Sequence, residues 1–131
     1  MPILKVKIAT TQSTVPAAVV ASTLSELTTR ILGKDPAVTS ILVEYVDPAD
    51  WFVGGRPLVE QGRSSIYFDI KITDETNTKQ QKADYIREAF EAFSRLFGDL
   101  HEESYIHVED VRAAAYGYGG RTQEWRFHNS A

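Results

Sequence analysis

Cysteine is absent from this sequence of 131 residues. Disulfide staples, thiolate nucleophiles and cysteine-bound zinc are thereby excluded. There is also no apolar run near the roughly 20 residues that a membrane-spanning helix needs, and no basic start followed by an apolar stretch and a cleavage site. The expectation is a protein that stays in the cytoplasm and off the membrane. Charge of one sign is scarce too. A net charge of −4 on a chain that is 24% charged leaves no basic stripe to displace counterions from a phosphate backbone, so nucleic acid is not an expected partner. The histidines number 3, and His101 and His128 stand apart from any carboxylate cluster at ligand spacing, so no metal site is expected.

What remains is an ordinary soluble composition, 43% hydrophobic, on a chain whose length suits a single domain over residues 1–131. Leu4, Val6 and Ile8 alternate with Lys5 and Lys7, which predicts a strand over 2–10. Thr14 and Pro16 open a helix in which Ala17, Val20, Ala21, Leu24, Leu27 and Ile31 form a stripe, and Gly33 ends it. A strand over 39–46 follows, closed by Asp47-Pro48-Ala49-Asp50.

The same order then returns. A strand is expected over 65–73, a helix over 78–97 with Ala83, Ile86, Phe90, Phe93 and Phe97 in one stripe, and a last strand over 105–111. A shift of roughly 64 positions lays Val6-Lys7-Ile8 on Ile70-Lys71-Ile72 and Ile41-Leu42-Val43 on Tyr105-Ile106-His107, the pattern of an internal duplication. The pseudo-repeats are 2–46 and 65–111. Right-handed crossovers then place both helices on one face of a four-stranded mixed sheet, an α+β fold. The glycine-rich tail from Gly117 is expected to add a short hairpin or an intersubunit strand. On the open face the alternation is read as setting Ile41, Val43 and Tyr45 beside Lys5, Lys7, Asp69, Lys71, Tyr105, His107 and Glu109. A face so mixed in polarity calls for a symmetric oligomer that packs the sheets together.

The chemistry-bearing feature is Met1-Pro2 leading straight into a strand. Removal of methionine frees a secondary amine. An α-amino group titrates at about 7.7–8.0 when unperturbed, and burial or a nearby cation lowers this toward a base that is free at neutral pH.

With Pro2 at the head of paired strand-helix-strand units, the chain resembles the tautomerase superfamily. The longer branch, containing macrophage migration inhibitory factor and malonate semialdehyde decarboxylase, is more similar than the half-length 4-oxalocrotonate tautomerases. Gly33-Lys34-Asp35-Pro36 resembles the Gly-Lys-Pro-Pro of the inhibitory factor, and Phe52-Val53-Gly54-Gly55 its Phe-Gly-Gly turn. Ser104-Tyr105-Ile106-His107-Val108-Glu109-Asp110 resembles its Val-Tyr-Ile-Asn-Tyr-Tyr-Asp strand, while Gly62-Arg63-Ser64-Ser65 is closer to the decarboxylase.

The resemblance implies a cofactor-independent isomerase, a homotrimer with its sites at subunit interfaces. Pro2 would be the base in keto-enol proton transfer on a small 2-oxo acid or unsaturated dicarboxylate. It further implies that Lys34 binds or polarises the substrate, that Tyr105 lines the pocket from a neighbouring subunit, and that His107, where the inhibitory factor has asparagine, donates a hydrogen bond or a proton. Read by themselves, Lys34 equally suits a helix C-terminus, Tyr105 a packed cross-strand pair and His107 an interface. The paired arginines of the decarboxylase and of the related dehalogenase are missing from Thr73-Asp74-Glu75-Thr76-Asn77-Thr78. Hydrolytic or decarboxylating chemistry therefore needs Arg63, Arg112 or Arg121 as a clamp from elsewhere. The alternative outside enzymes is a non-catalytic ligand-binding or signalling module of the same layout.

Overall fold

The computed structural model describes residues 2–11 and 15–129. The helix-opening role expected of Thr14 and the fate of Met1 lie outside the described residues. Among those described, a four-stranded mixed sheet runs in the order β2 (Ser40–Tyr45), β1 (Ile3–Ala9), β5 (Ser65–Thr73), β6 (Tyr105–Val111). β1 and β2 are parallel with Leu4 opposite Ile41 and Val6 opposite Val43, and β5 and β6 are parallel with Phe68 opposite Ile106. The two pairs meet antiparallel at the centre, where Val6 faces Phe68.

Each parallel pair is joined by a helix, α1 (Ala17–Leu32) in the first and α3 (Lys79–Phe97) in the second. Gly33, at φ 69°, ends α1 by placing its N–H on the Thr29 carbonyl at 3.1 Å while Lys34 N–H reaches Thr28 at 3.3 Å. The sequence Thr78-Lys79-Gln80-Gln81 starts α3 with a reciprocal capping box between Thr78 and Gln81.

Both helices cover one face of the sheet. Leu4, Val6, Ile8, Ile66, Phe68, Ile70 and Ile72 are fully buried beneath Val20, Leu24, Leu27, Phe93 and Phe97. Burying each such side chain contributes about 1.5–3 kcal/mol before the entropy of ordering is subtracted. Two of the expected stripes are rotated. In α3 the buried residues are Tyr85, Ala89, Ala92, Phe93 and Phe97, with Ile86 exposed; in α1 they are Val20, Leu24, Leu27, Thr28 and Leu32, with Ala17 exposed. The reason is a polar pair in the core. Thr28 Oγ1 donates to the Leu24 carbonyl at 2.6 Å, so the Tyr85 hydroxyl, 2.8 Å away, donates to Thr28, and each polar atom is satisfied out of water.

Burial pushes the Tyr85 phenol well above its ordinary value of 10.0. Because the folded pKa is raised, its stability is fully present below the unfolded pKa of about 10 and is lost as pH rises beyond it. Tyr85→Phe should therefore cost about 1 kcal/mol at neutral pH, from the hydrogen bond removed, yet flatten the fall in stability above about pH 10. Chemical denaturation at pH 7 and pH 10.5 measures both, and an unchanged alkaline slope in the variant would reject the assignment.

The open face also differs from expectation on one strand. Ile41 and Val43 point into the core beside Leu4 and Val6, and Tyr45 lies on the same side, its hydroxyl donating to the Val15 carbonyl. Ser40, Leu42 and Glu44 take their place. Ile41-Leu42-Val43 are apolar without interruption, so their alternation has no readable phase, and the parallel register with β1 decides it. The open face then carries three cross-strand rows: Ser40, Ile3, Lys71 and Glu109; Leu42, Lys5, Asp69 and His107; and Glu44, Lys7, Tyr67 and Tyr105.

Between β2 and β5 the chain makes a small hairpin, β3 (Phe52–Val53) with β4 (Arg56–Pro57), and one turn of helix, α2 (Leu58–Gln61). The tail folds as a hairpin, β7 (Gly117–Tyr118) with β8 (Arg121–Thr122), and then as α4 (Gln123–Asn129), a helix the sequence reading did not contain. No helix among the described residues is long and apolar enough to cross a membrane.

Candidate active site

The duplicated topology gathers one set of ends. β1 and β2 start where β5 and β6 finish, so Pro2, Ser40, Thr73 and Val111 occupy the same edge of the sheet. Pro2 is buried there, and its carbonyl accepts from Ser40 N–H at 3.2 Å. It forms part of the wall of a cavity of about 590 Å³, with Ile3, Val38, Thr39, Tyr116, Tyr118 and Gln123 among the other residues around it.

The tail supplies the far wall. Gly119 and Gly120 have φ of 61° and 76°, the two positive values that a tight hairpin turn demands. The two arms come so close that a Cβ on Gly117 would lie 1.8 Å from the Arg121 carbonyl oxygen, so only glycine fits. Gln123 N–H bonds the Tyr116 carbonyl at 2.9 Å, Glu124 N–H bonds Ala113 at 2.9 Å, and Arg126 lies over the Tyr118 ring at 3.8 Å. These contacts hold the hairpin and α4 over the cavity.

Lys34 is at the same edge but not on that wall. It is half-buried, and its ammonium donates to Thr76 Oγ1 at 2.8 Å; Thr76 in turn donates to the Thr73 carbonyl at 2.5 Å. Thr73 Oγ1 and the Tyr116 hydroxyl are 2.9 Å apart, so Thr73 meets Thr76 through its carbonyl and the cavity's Tyr116 through its hydroxyl. Burial lowers the Lys34 pKa from its ordinary 10.5, and the charge of Asp110 works against that fall. Burial likewise raises the Tyr116 phenol, with the bond to Thr73 opposing it.

Tyr105 and His107 stand apart from Pro2 within the chain. Tyr105 is opposite Tyr67, which is opposite Lys7, five residues from Pro2 and therefore roughly 16 Å away along the strands at ~3.3 Å per residue. It is exposed, and its hydroxyl donates to Glu103 at 2.7 Å, a bond that raises its pKa. His107 is on the open face next to Asp69, with Nδ1 3.8 Å from Oδ1. Lys71 bridges Asp69 at 3.1 Å and Glu109 at 3.4 Å on the same face.

Among the described residues no arginine, Arg112 included, lines the Pro2 cavity. Arg63 bonds the Leu100 carbonyl at 3.3 Å at the opposite edge, and Arg121 lies over the Trp125 ring at 4.2 Å. Among the described residues, no group of three or more histidine or carboxylate side chains is placed to hold a metal. Sequence reasoning missed Thr39, Tyr116, Tyr118 and Gln123 as cavity residues. The signal available for two of them was Tyr116-Gly117-Tyr118-Gly119-Gly120, where aromatics alternate with glycines in a tail too polar to be core.

No protein-family model matches the sequence, and no curated protein matches it significantly. Solved structures do. A fused 4-OT, wild type and a symmetric trimer, superposes with a TM-score of 0.76 at 22% identity, over 93% of this chain and 96% of that one. A macrophage migration inhibitory factor from Oncomelania hupensis gives 0.77 at 14% identity, over 99% and 88%. A member of the cis-3-chloroacrylic acid dehalogenase family gives 0.72 at 15% identity, over 97% and 92%. With the order β2-β1-β5-β6, both helices on one face and Pro2 buried at the edge, the chain has the fold of the tautomerase superfamily.

Proposed function

We propose that this chain is a cofactor-independent tautomerase that moves a proton beside the carbonyl of a small 2-oxo acid or unsaturated dicarboxylate, with Pro2 as the base once Met1 is removed. The observation that carries the reading is the burial of Pro2 in the wall of a cavity of about 590 Å³, large enough for such a substrate. Burial disfavours the ammonium form of a freed Pro2 nitrogen, so the neutral amine is available at neutral pH. It removes a proton from carbon; the resulting enolate is stabilised by hydrogen-bond donors; the protonated amine returns the proton to another carbon or to oxygen. The whole of 1–131 acts as one domain, its halves being 2–46 and 65–111.

The assembly is a homotrimer in which the open faces pack together. Exposed Ile3, Leu42, Tyr67 and Tyr105 support this, because they would otherwise lie in water on a surface of mixed polarity. Packing would bring Tyr105 and His107 of a neighbouring copy to Pro2, a distance the single chain cannot close. In this reading Lys34 acts through Thr76 and Thr73 on Tyr116 and lends positive charge to the edge where the enolate forms. No arginine lines the cavity of the chain, which supports simple tautomerisation over dehalogenation or decarboxylation.

The test is turnover of phenylenolpyruvate and 2-hydroxymuconate by protein whose intact mass lacks methionine. No turnover of either by such protein would refute the reading. Lys34→Met, which keeps the length and removes the charge, should reduce kcat/KM by up to about 10-fold, less than a donor in direct contact supplies, because its ammonium ends on Thr76 and not on the cavity wall. Steady-state rates on the two substrates measure this, and a wild-type value would remove Lys34 from the site.

A further inference from the structure

Gln123 is only 7% exposed, at the first position of α4 where the tail hairpin ends. Its backbone N–H is committed to the Tyr116 carbonyl, but among the described residues its carboxamide has no hydrogen-bond partner. Neither carboxamide atom is among the buried side-chain atoms that lack a partner, so the amide of this otherwise buried residue meets solvent. A ligand group that enters a cavity beside Gln123 can take the place of that solvent.

Gln123 stands between two. One is the Pro2 cavity; the other, of about 680 Å³, includes Asp74, Glu75, Thr76 and Asn129 in its lining. That second cavity is rich in carboxylates and hydroxyls able to pair with an amide, and none does so. On the Pro2 side the charged groups are missing: the lining is Pro2, Ile3, Ala37, Val38, Thr39, Ser40, two tyrosines, a glycine and Gln123. Gln123 thus belongs to the lining of the Pro2 cavity and carries a side-chain amide that no described residue engages.

We propose that the Gln123 carboxamide is the hydrogen-bond donor for the 2-oxo group of the substrate, a role that rests on the tautomerase reading of the same cavity. The N–H group donates to the carbonyl oxygen and keeps its proton, while Pro2 takes the proton from carbon and negative charge gathers on that oxygen. The bond strengthens as the charge develops, so it favours the enolate over the ketone. It also selects substrate. A site built to hydrogen-bond an oxygen discriminates against an analogue that lacks it, because the amide then loses its solvent without gaining a partner.

The experiment separates this role from Pro2 chemistry by using ligands that cannot tautomerise. Benzoylformate is a 2-oxo acid with no hydrogen on the adjacent carbon, and phenylacetate has the same ring and carboxylate without the 2-oxo group. Calorimetric titration of the wild-type protein should show a preference of about 10-fold or more for benzoylformate. Gln123→Leu should bind the two equally and lose about 30- to 100-fold in kcat/KM for phenylenolpyruvate, with no fall in Tm because the side chain bonds nothing within the protein. A preference retained in Gln123→Leu, or absent from the wild type, overturns the proposal. Pro2→Ala should keep the preference and lose turnover. If Pro2→Ala instead turns over normally, the tautomerase mechanism fails while the binding preference still decides the role of Gln123.

Discussion

Pro2→Ala is expected to reduce kcat for phenylenolpyruvate by about 10²–10⁴-fold, the contribution that a positioned general base makes. Alanine is small enough for methionine removal to continue, so the variant also begins with an amine, and the comparison isolates the ring. In proline the nitrogen is secondary and φ is held near −65°, which fixes the direction of the lone pair. In alanine the nitrogen is primary and free to turn. The Pro2 carbonyl that accepts from Ser40 persists in the variant, as do the bonds of β1 to β2 and β5. The secondary-structure signal and oligomeric mass should therefore match wild type while the rate collapses. Equal rates in the two proteins would leave Pro2 a packing residue and end the catalytic proposal. A chain with Met1 retained should be as inactive as the variant, since its Pro2 nitrogen is an amide with no basic lone pair.

Why was so much of this fold readable before the structure, and some of it not? β5 and β6 match the expected 65–73 and 105–111 because β-branched and aromatic residues alternate there with polar ones. α3 matches the expected 78–97, with the capping box of Thr78 and Gln81 at one end and Gly98 just past the other. The failures come where local pattern is silent. Ile41-Leu42-Val43 has no alternation to read, and which face it buries is settled by pairing with Leu4 and Val6. Tyr85 carries a hydroxyl that needs a partner in the core, and Thr28, 57 positions away, supplies it. α4 has seven residues, too few to be stable alone; Glu124 N–H on Ala113 and Arg126 over Tyr118 hold it in place.

The candidate site divides along the same line. Pro2 announces itself because the chemistry of a freed imino nitrogen is unusual wherever it occurs. Lys34 is conspicuous only beside the motif it resembles. Tyr116 and Gln123 lie more than a hundred residues from Pro2 and enter its cavity because the hairpin at Gly117 turns the tail back over the sheet edge. No spacing rule connects positions so distant; the alternating aromatics and glycines of Tyr116 to Gly120 mark a hairpin, but not that it returns to Pro2.

Mixing two inactive variants should restore activity, if Tyr105 serves the Pro2 of another copy. Within one chain Tyr105 is at the opposite edge of the sheet from Pro2, so direct contact of its ring with a Pro2 site requires a second copy. Suppose each site takes Pro2 from one subunit and Tyr105 from the next. In trimers assembled at random from equal amounts of Pro2→Ala and Tyr105→Ala chains, about a quarter of sites then combine an intact Pro2 with an intact Tyr105. Neither parent has any such site. Co-denaturing and refolding the two variants should recover about a quarter of wild-type activity on phenylenolpyruvate, whereas mixing the folded proteins without exchange should recover almost none. Recovery confined to the refolded mixture places Tyr105 in trans. If refolding restores nothing although mass measurements show mixed trimers, Tyr105 does not complete a neighbour's site, and its exposed ring on the open face serves packing alone.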